Sequence, residues 1–394
     1  MLKRTLTERL KALAGQYPAI TLTGPRQSGK TTLVRLAFPE LAYVSLELPD
    51  EREFALQDPR GFLNRFKAGA IFDEVQRTPD LFSYIQTAVD ELDQPGRFIL
   101  TGSQNFLLLK NISQTLAGRC AILHLLPFQA AELHFRIPAD PKMLSEPAAA
   151  IKKPHDDLMN TLFKGFFPRI HDKKLEPGEW LSGYYQTYVE RDVRSVLNIG
   201  DLEAFDRFVR LCAGRSGQLL NLSGLASDCG ITHTTARRWI SVLEAGFVIG
   251  LLRPHHRNFG KRLIKSPKLY FLDTGLLCFL LKIRSPEELL THSSRGAIFE
   301  SFVYAELIKG FYHAGQSPDL FFWRDSAGHE IDFLIDSGTL YPIEVKSGQT
   351  LAGDFLDQLQ YFRGLSGCTG GTLIYGGDEA MTRQGVQIYP WFTL

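Results

Sequence analysis

Apolar and polar positions recur with different periods in successive stretches of the chain. Between Ala19 and about Phe128, short apolar runs alternate with helical patterns: "AITLTG", "LAYVSLEL", "GAIFDE", "RFILTGS" and "CAILHLLPF". Runs this short, rich in Ile, Leu and Val and bounded by turn residues, predict buried parallel strands with helices between them. The stretch "RIPADPKMLSEPAAAIKKPHDD" carries four prolines among small and charged residues and predicts an exposed connection. Residues 156–215 read as mostly helical, with aromatic and aliphatic residues recurring at three and four in "WLSGYYQTYVERDVRSVL". From Leu219 a compact helical segment leads to "FVIGLLRPHHRNFGKRLIKSPKLYFLD", two apolar runs flanking a basic turn. A mixed region then runs from about Ala297 to Leu394. This divides the chain into 1–140, 141–215 (a helical lid or bridge), 216–275 and 276–394, within an α/β fold class. No internal repeat or low-complexity tract interrupts it.

The first chemistry lies where the run Ile20–Thr23 breaks into Gly24-Pro25-Arg26-Gln27-Ser28-Gly29-Lys30-Thr31-Thr32. This fits G-x-x-x-x-G-K-[ST] between a strand and a helix. Glycines there permit positive φ, so backbone N–H groups can converge on phosphate oxygens at a helix N-terminus. Lys30 is expected to reach the β and γ phosphates of ATP, and the Thr31 hydroxyl to ligate Mg²⁺. In "AIFDEVQ" three apolar residues deliver Asp73 and Glu74 to a strand end. Asp73 is expected to hold the Mg²⁺ water shell and Glu74 to polarise the attacking water. "FILTGSQ" is another buried strand ending in polar groups, where Ser103 is positioned to sense the γ phosphate.

Together, "TGPRQSGKTTL", "IFDEVQ", "FILTGSQ", "TLAGR", "YVERDV" and "SPKLYFLDTGLL" resemble the AAA-type ATPases. More narrowly, they resemble bacterial and archaeal ATP-binding proteins whose ATPase domain is fused to a carboxyl-terminal domain. The resemblance spans nearly the whole chain. It implies that Arg119 of "LAGR" acts as an arginine finger on a neighbouring subunit, and so implies a homo-oligomer such as a hexameric ring. Arg191 of "YVERDV" is a weaker candidate for a lid arginine.

Two further constellations suggest what the ATP energy acts on. Residues 221–252 have the cadence of a winged helix-turn-helix, with Gly230 in the turn, Thr232 opening the second helix, and Arg237, Arg238 and Trp239 on it. From Thr232 through Lys268 stand Arg237, Arg238, Arg253, Arg257, Lys261, Arg262, Lys265 and Lys268 against the single acid Glu244. Such a patch suits DNA phosphates, with Arg237, Arg238, Lys261 and Arg262 as leading contacts, and an oligomer-packing module is the alternative. In the last region Glu300 lies on the helical run "RGAIFESFVYAELIKGF", Asp332 in "HEIDFLID", and Glu344 and Lys346 in "YPIEVKSG". A "DSGT" turn is expected to pair the last two runs as a hairpin. Asp332 and Glu344 could then hold a second Mg²⁺, with Lys346 on the same side of its strand as Glu344. This resembles the D…E-x-K core of PD-(D/E)XK nucleases, which are restriction-endonuclease-like folds. Gln358 and Tyr361 of "DQLQYF" resemble their following helix, although no proline precedes Asp332.

Composition adds limits rather than partners. The 394 residues suit two or three domains, and the 44% hydrophobic, 22% charged chain has a formal net charge of only +1. Cys120, Cys212, Cys229, Cys278 and Cys368 are scattered and odd in number, the pattern of reduced cytoplasmic thiols. With no run of about 18 apolar residues, neither a membrane span nor a signal peptide is expected. The leading expectation is Mg²⁺-dependent ATP hydrolysis coupled to binding or remodelling of duplex or branched DNA. A regulatory or signalling NTPase that binds protein, or an ATP-gated DNA nuclease, are the alternatives.

Overall fold

The computed structural model describes residues 3–92, 94–103, 112, 115–146, 153–154, 157–188, 201–256 and 264–394. They form two compact units: Met1–Phe128 with Ala245–Phe247 and Tyr312–Gln316, and Gln129–Glu244 with Val248–Phe311 and Ser317–Leu394.

In the first unit all five expected apolar runs are strands: β1 (Ala19–Thr23), β2 (Ala42–Ser45), β3 (Ala70–Asp73), β4 (Phe98–Gly102) and β5 (Cys120–His124). They pair in parallel in the order β2-β3-β4-β1-β5. Every residue of β1, β3 and β4 is buried, because helices cover both faces. Neighbouring side chains accordingly enter opposite cores. Phe72 and Phe98 join Phe62 and Phe82 on one face, while Ile71 and Ile99 join Leu10 and Leu33 on the other. Each buried aromatic or branched side chain contributes about 1.5–3 kcal/mol. Since all five strands run the same way, the loop after β1, Asp73 on β3 and Ser103 after β4 reach the same edge of the sheet.

The second unit begins with helices that include Leu158–Lys164, Pro168–Lys173, Pro177–Thr187 and Leu202–Ala213. Helix Leu222–Cys229 ends at Gly230 in the left-handed region (φ 69°), and helix His233–Ala245 follows. Trp239 of that helix meets Phe205 and Phe208 edge-on, with ring centroids 5.2 Å apart in each case. It is therefore a core residue, and its neighbours Arg237 and Arg238 are exposed. Strands β6 (Ile249–Leu252) and β7 (Lys268–Phe271) form an antiparallel ribbon.

A six-stranded sheet completes the unit: β8 (Leu320–Arg324), β9 (Glu330–Asp336), β10 (Leu340–Lys346), β11 (Thr372–Tyr375), β12 (Met381–Arg383) and β13 (Val386–Pro390), in the order β12-β13-β11-β10-β9-β8. The β9–β10 hairpin expected from "DSGT" is present, with Leu340 opposite Asp336 and Gly338 in the left-handed region its turn requires (φ 92°). Helix Asp357–Ser366 carries the chain from β10 to its parallel neighbour β11, and buries Leu359 and Phe362 against Trp323, Leu334 and Leu373.

Candidate nucleotide site and a buried carboxylate cluster

The loop after β1 takes the backbone its glycines allow. Gly24 (φ 152°) has no room for a side chain, since a Cβ would lie 2.1 Å from the Leu125 carbonyl oxygen. Gly29 (φ 93°) opens the helix Lys30–Ala37 from a left-handed conformation. Lys30 is buried and donates to the carbonyls of Gly24 (2.9 Å) and Pro25 (2.8 Å), so its ammonium lies along the loop. Ser28 is fully buried and its hydroxyl has no partner, whereas Gln27 and Thr32 are exposed and Arg26 is half-buried. From the other side, the Arg4 guanidinium donates to the Ser28 carbonyl (2.8 Å) and the Leu126 carbonyl (2.7 Å) while lying over Phe128.

The acidic pair is held by neutral donors. Asp73 accepts from the hydroxyls of Thr31 (2.8 Å), Tyr43 (2.8 Å) and Thr101. Burial, and then the Asp73 carboxylate, push the Tyr43 phenol up to about 12, so it remains a donor throughout the physiological range. Glu74 adopts left-handed φ/ψ (56°, 42°), an uncommon state for a non-glycine residue. There its carboxylate accepts from Gln76 Nε2 (2.5 Å) and Ser103 Oγ (3.0 Å). The structure thus gathers the loop, Lys30, Thr31, Asp73, Glu74 and Ser103 at one edge.

Arg119 is not part of this group. It precedes β5, whose first residue Cys120 pairs with Ala19 at the start of β1. Five residues of strand, about 16 Å, separate it from the loop of its own chain, and its guanidinium pairs with Asp90. Arg191, Arg257, Lys261 and Arg262 lie outside the described residues. Of the other cations in the expected basic patch, Arg237, Arg238, Arg253 and Lys265 are exposed. Lys268 is not: only 3% exposed, it belongs to a different site.

That site is the carboxylate cluster of the second unit. Glu344 and Lys346 share one side of β10 and pair at 2.9 Å, and the Val345 N–H donates to Asp332 Oδ2 on the adjoining strand at 2.9 Å. Glu300, from helix Arg295–His313, accepts from the Tyr270 hydroxyl and from Lys268 Nζ at 3.1 Å. Lys268 also contacts Glu330 and approaches Asp332 Oδ1 to 4.0 Å, while Arg324 pairs with Glu330 at 3.1 Å. Burial, and then Asp332, raise Glu300 to about 7 against the pull of Lys268. Burial and Asp332 likewise hold Glu344 well above the usual carboxylate range. Glu344 Oε2 and Gln358 Oε1 are buried without partners. Ring stacking against His329 accounts for Tyr361 (centroids 3.9 Å apart). Among the described residues, no three His, Cys, Asp or Glu side chains are grouped to hold a metal ion.

Sequence reasoning passed over Arg4, Tyr43, Gln76 and Thr101, and assigned Lys268 to the wrong surface. The signal for Lys268 was its spacing from Tyr270: on a strand, residues two apart share a face, and both bond to Glu300.

A family model described as an AAA domain matches residues 16–134, and models of domains of unknown function match residues 155–287 (DUF8612) and 295–394 (DUF4143). The uncharacterized protein Rv2008c of Mycobacterium tuberculosis is 31% identical over 353 residues, covering 88% of this chain and 74% of that protein. The uncharacterized protein MJ1544 of Methanocaldococcus jannaschii is 25% identical over 338 residues, covering 79% of this chain and 70% of that protein. Among solved structures, the Walker-type ATPase PABY2304 of Pyrococcus abyssi is similar with a TM-score of 0.47 and 16% identity, over 71% of this chain and 96% of that one. AMPPCP-bound DnaA from Aquifex aeolicus has a TM-score of 0.30 and 17% identity, over 61% and 85%. No helix among the described residues is long and apolar enough to cross a membrane.

Proposed function

This chain belongs to the AAA-domain protein family that includes Rv2008c, and from that membership we propose that its AAA-type ATPase domain hydrolyses ATP with Mg²⁺, coupled to DNA binding by the carboxyl-terminal unit. One observation carries the ATPase reading: the Thr31 hydroxyl and the Asp73 carboxylate meet at 2.8 Å beside a phosphate loop whose buried Ser28 hydroxyl has no partner. The residues fit Mg²⁺, because a hydroxyl and a carboxylate are hard oxygen ligands and water and phosphate oxygens would supply the rest of its shell. Bound there, Mg²⁺ would neutralise charge on the β and γ phosphates.

The chain's own groups do the rest. Lys30 leaves the loop carbonyls for the phosphates. Glu74 orients the attacking water, and Ser103 reports on the γ phosphate through the carboxylate it already touches. Arg119, at the far edge of its own sheet, acts on the site of a neighbouring subunit, which makes the working form a homo-oligomer such as a hexameric ring. All five cysteines are free thiols, which suits a reducing cytoplasm.

The DNA reading rests on the two-helix segment Leu222–Ala245, its following ribbon, and the exposed Arg237, Arg238, Arg253 and Lys265. These support a winged helix that contacts phosphates. The convergence of Asp332, Glu344 and Lys346, with a helix before the sheet and another between β10 and β11, supports a nuclease-like fold for Ala297–Leu394. Fold alone does not establish cleavage.

The deciding experiment measures ATP turnover of the full chain with and without duplex and branched DNA. Stimulation by DNA that fades with salt supports the proposal. Turnover indifferent to every DNA, with no binding at low salt, moves the carboxyl-terminal unit to protein recognition. Titrating Arg119→Ala chains against Lys30→Ala chains tests the oligomer. Restored turnover in mixtures supports an arginine acting in trans, and an active strict monomer removes it.

A further inference from the structure

The carboxylates of the second unit already enclose a cation. We infer that Lys268 takes the place a divalent metal ion would occupy among Glu300, Glu330 and Asp332, making this a metal-independent site rather than a nuclease centre. Its ammonium stands 3.1 Å from Glu300, touches Glu330, and lies 4.0 Å from Asp332. The side chain is 4% exposed and reaches the cluster from β7, where its neighbours Leu269, Tyr270 and Phe271 are all buried. Held this way, it is a fixture of the fold and not a mobile surface lysine.

The remaining oxygens have partners as well. Asp332 Oδ2 accepts the Val345 N–H, Glu344 Oε1 accepts Lys346, and Glu330 Oε2 accepts Arg324. Glu344 Oε2 is buried without one. A divalent cation needs several oxygens at once, and here it would have to enter beside a fixed ammonium that repels it. Charge points the same way. Four carboxylates (Glu300, Glu330, Asp332 and Glu344) face three cations (Lys268, Arg324 and Lys346). Most of the negative charge a metal would neutralise is therefore already met by the fold.

This goes beyond the ATPase and DNA reading and does not depend on it. It assigns the carboxyl-terminal module to binding, without metal-dependent phosphodiester cleavage. Lys268 becomes the strut that ties the β6–β7 ribbon to helix Arg295–His313 and strand β9.

The test is Mn²⁺ titration of the nucleotide-free full chain, read by electron paramagnetic resonance, in an Asp73→Asn background that removes the carboxylate of the nucleotide site. With Lys268 or Lys268→Arg, no saturable Mn²⁺ site is expected. With Lys268→Met, about one Mn²⁺ per chain is expected, since removing the resident cation frees its oxygens, and adding Asp332→Asn should abolish it. A saturable site in the Lys268 chain that Glu344→Gln removes overturns the inference. So does a Lys268→Met chain that keeps the parent's circular dichroism and melting temperature yet gains no site. Should Lys268→Met fail to fold, the Lys268 chain still decides: Mn²⁺-supported nicking of DNA lost in Glu344→Gln would overturn the inference, and Mn²⁺ binding and nicking both absent would sustain it.

Discussion

Two acidic sites in this molecule gather carboxylates, and they differ in what holds the negative charge. In the first unit, Asp73 and Glu74 are held by neutral groups: three hydroxyls on one, an amide and a hydroxyl on the other. In the second, Glu300, Glu330 and Glu344 are held by ammonium and guanidinium groups from their own fold. A hydroxyl donor can turn and yield to a metal ion at the cost of about one ordinary hydrogen bond. A buried ammonium cannot withdraw without leaving charges unpaired, which typically costs about 3–5 kcal/mol. The first site is therefore built to exchange its partners during a reaction, and the second to keep them.

The comparison breaks first at Glu74 if that carboxylate has no part in turnover. Glu74→Gln keeps the shape and the contact to Ser103 but removes the charge, so on the proposed water-orienting role kcat should fall by about 10²–10⁴-fold while ATP still binds. Parallel measurement of nucleotide binding and phosphate release separates these effects. Parent-like turnover would leave the first site as static as the second.

The second site is tested by pH. Glu300 rises from an ordinary 4.5 to about 7 on folding. The unfolded chain therefore loses this proton near 4.5 and the folded chain near 7. The stability it contributes is present at low pH and is lost as pH rises through that window, by about 3 kcal/mol for an isolated group. Lys268, Tyr270, Glu330 and Asp332 share the network, so the readout is the difference between parent and Glu300→Gln in urea unfolding at pH 5 and pH 8. The parent should lose more stability than the variant, and parallel losses would show that Glu300 carries no proton at pH 5.

Lys268 also shows how far the sequence could be read. All five parallel strands of the first unit were legible because each is a short, mostly apolar run between turn signals. The phosphate loop was legible because its glycines and lysine are contiguous. The β9–β10 hairpin followed from alternation and a turn. Partners supplied by distant segments were not legible. Tyr43 sits thirty residues before Asp73, and Lys268 was counted with surface cations because a charge tally along the chain carries no information on burial. Only its pairing with Tyr270 at a strand period hinted otherwise.

Those same cations sharpen the contrast at smaller scale. Arg237 and Arg238 are exposed where Lys268 is enclosed, so losing them should touch DNA binding and leave the fold alone. Arg237→Ala with Arg238→Ala should flatten the slope of log affinity against log salt by about 1.8, at about 0.9 per phosphate contact, with little dependence on sequence. An unchanged slope with unchanged melting would separate this helix from DNA.

The smallest expected effect probes the claim that neutral donors at the first site are exchangeable. Tyr43 and Thr31 donate to the same oxygen of Asp73, but only Thr31 stands beside the phosphate loop. If Mg²⁺ engages the Thr31 hydroxyl as proposed, Tyr43 should stay and keep Asp73 aimed. Tyr43→Phe removes one neutral hydrogen bond, about 0.5–1.5 kcal/mol, while the ring keeps its packing under the Arg35 guanidinium. The Mg²⁺ concentration that half-saturates ATPase activity should therefore rise by about 2- to 10-fold, and nucleotide binding measured without Mg²⁺ should not move. An equal loss in both measurements would make Tyr43 a support of the whole pocket. No change in either would mean that Thr31 and Thr101 suffice to orient Asp73, leaving the site held by fewer donors than its geometry contains.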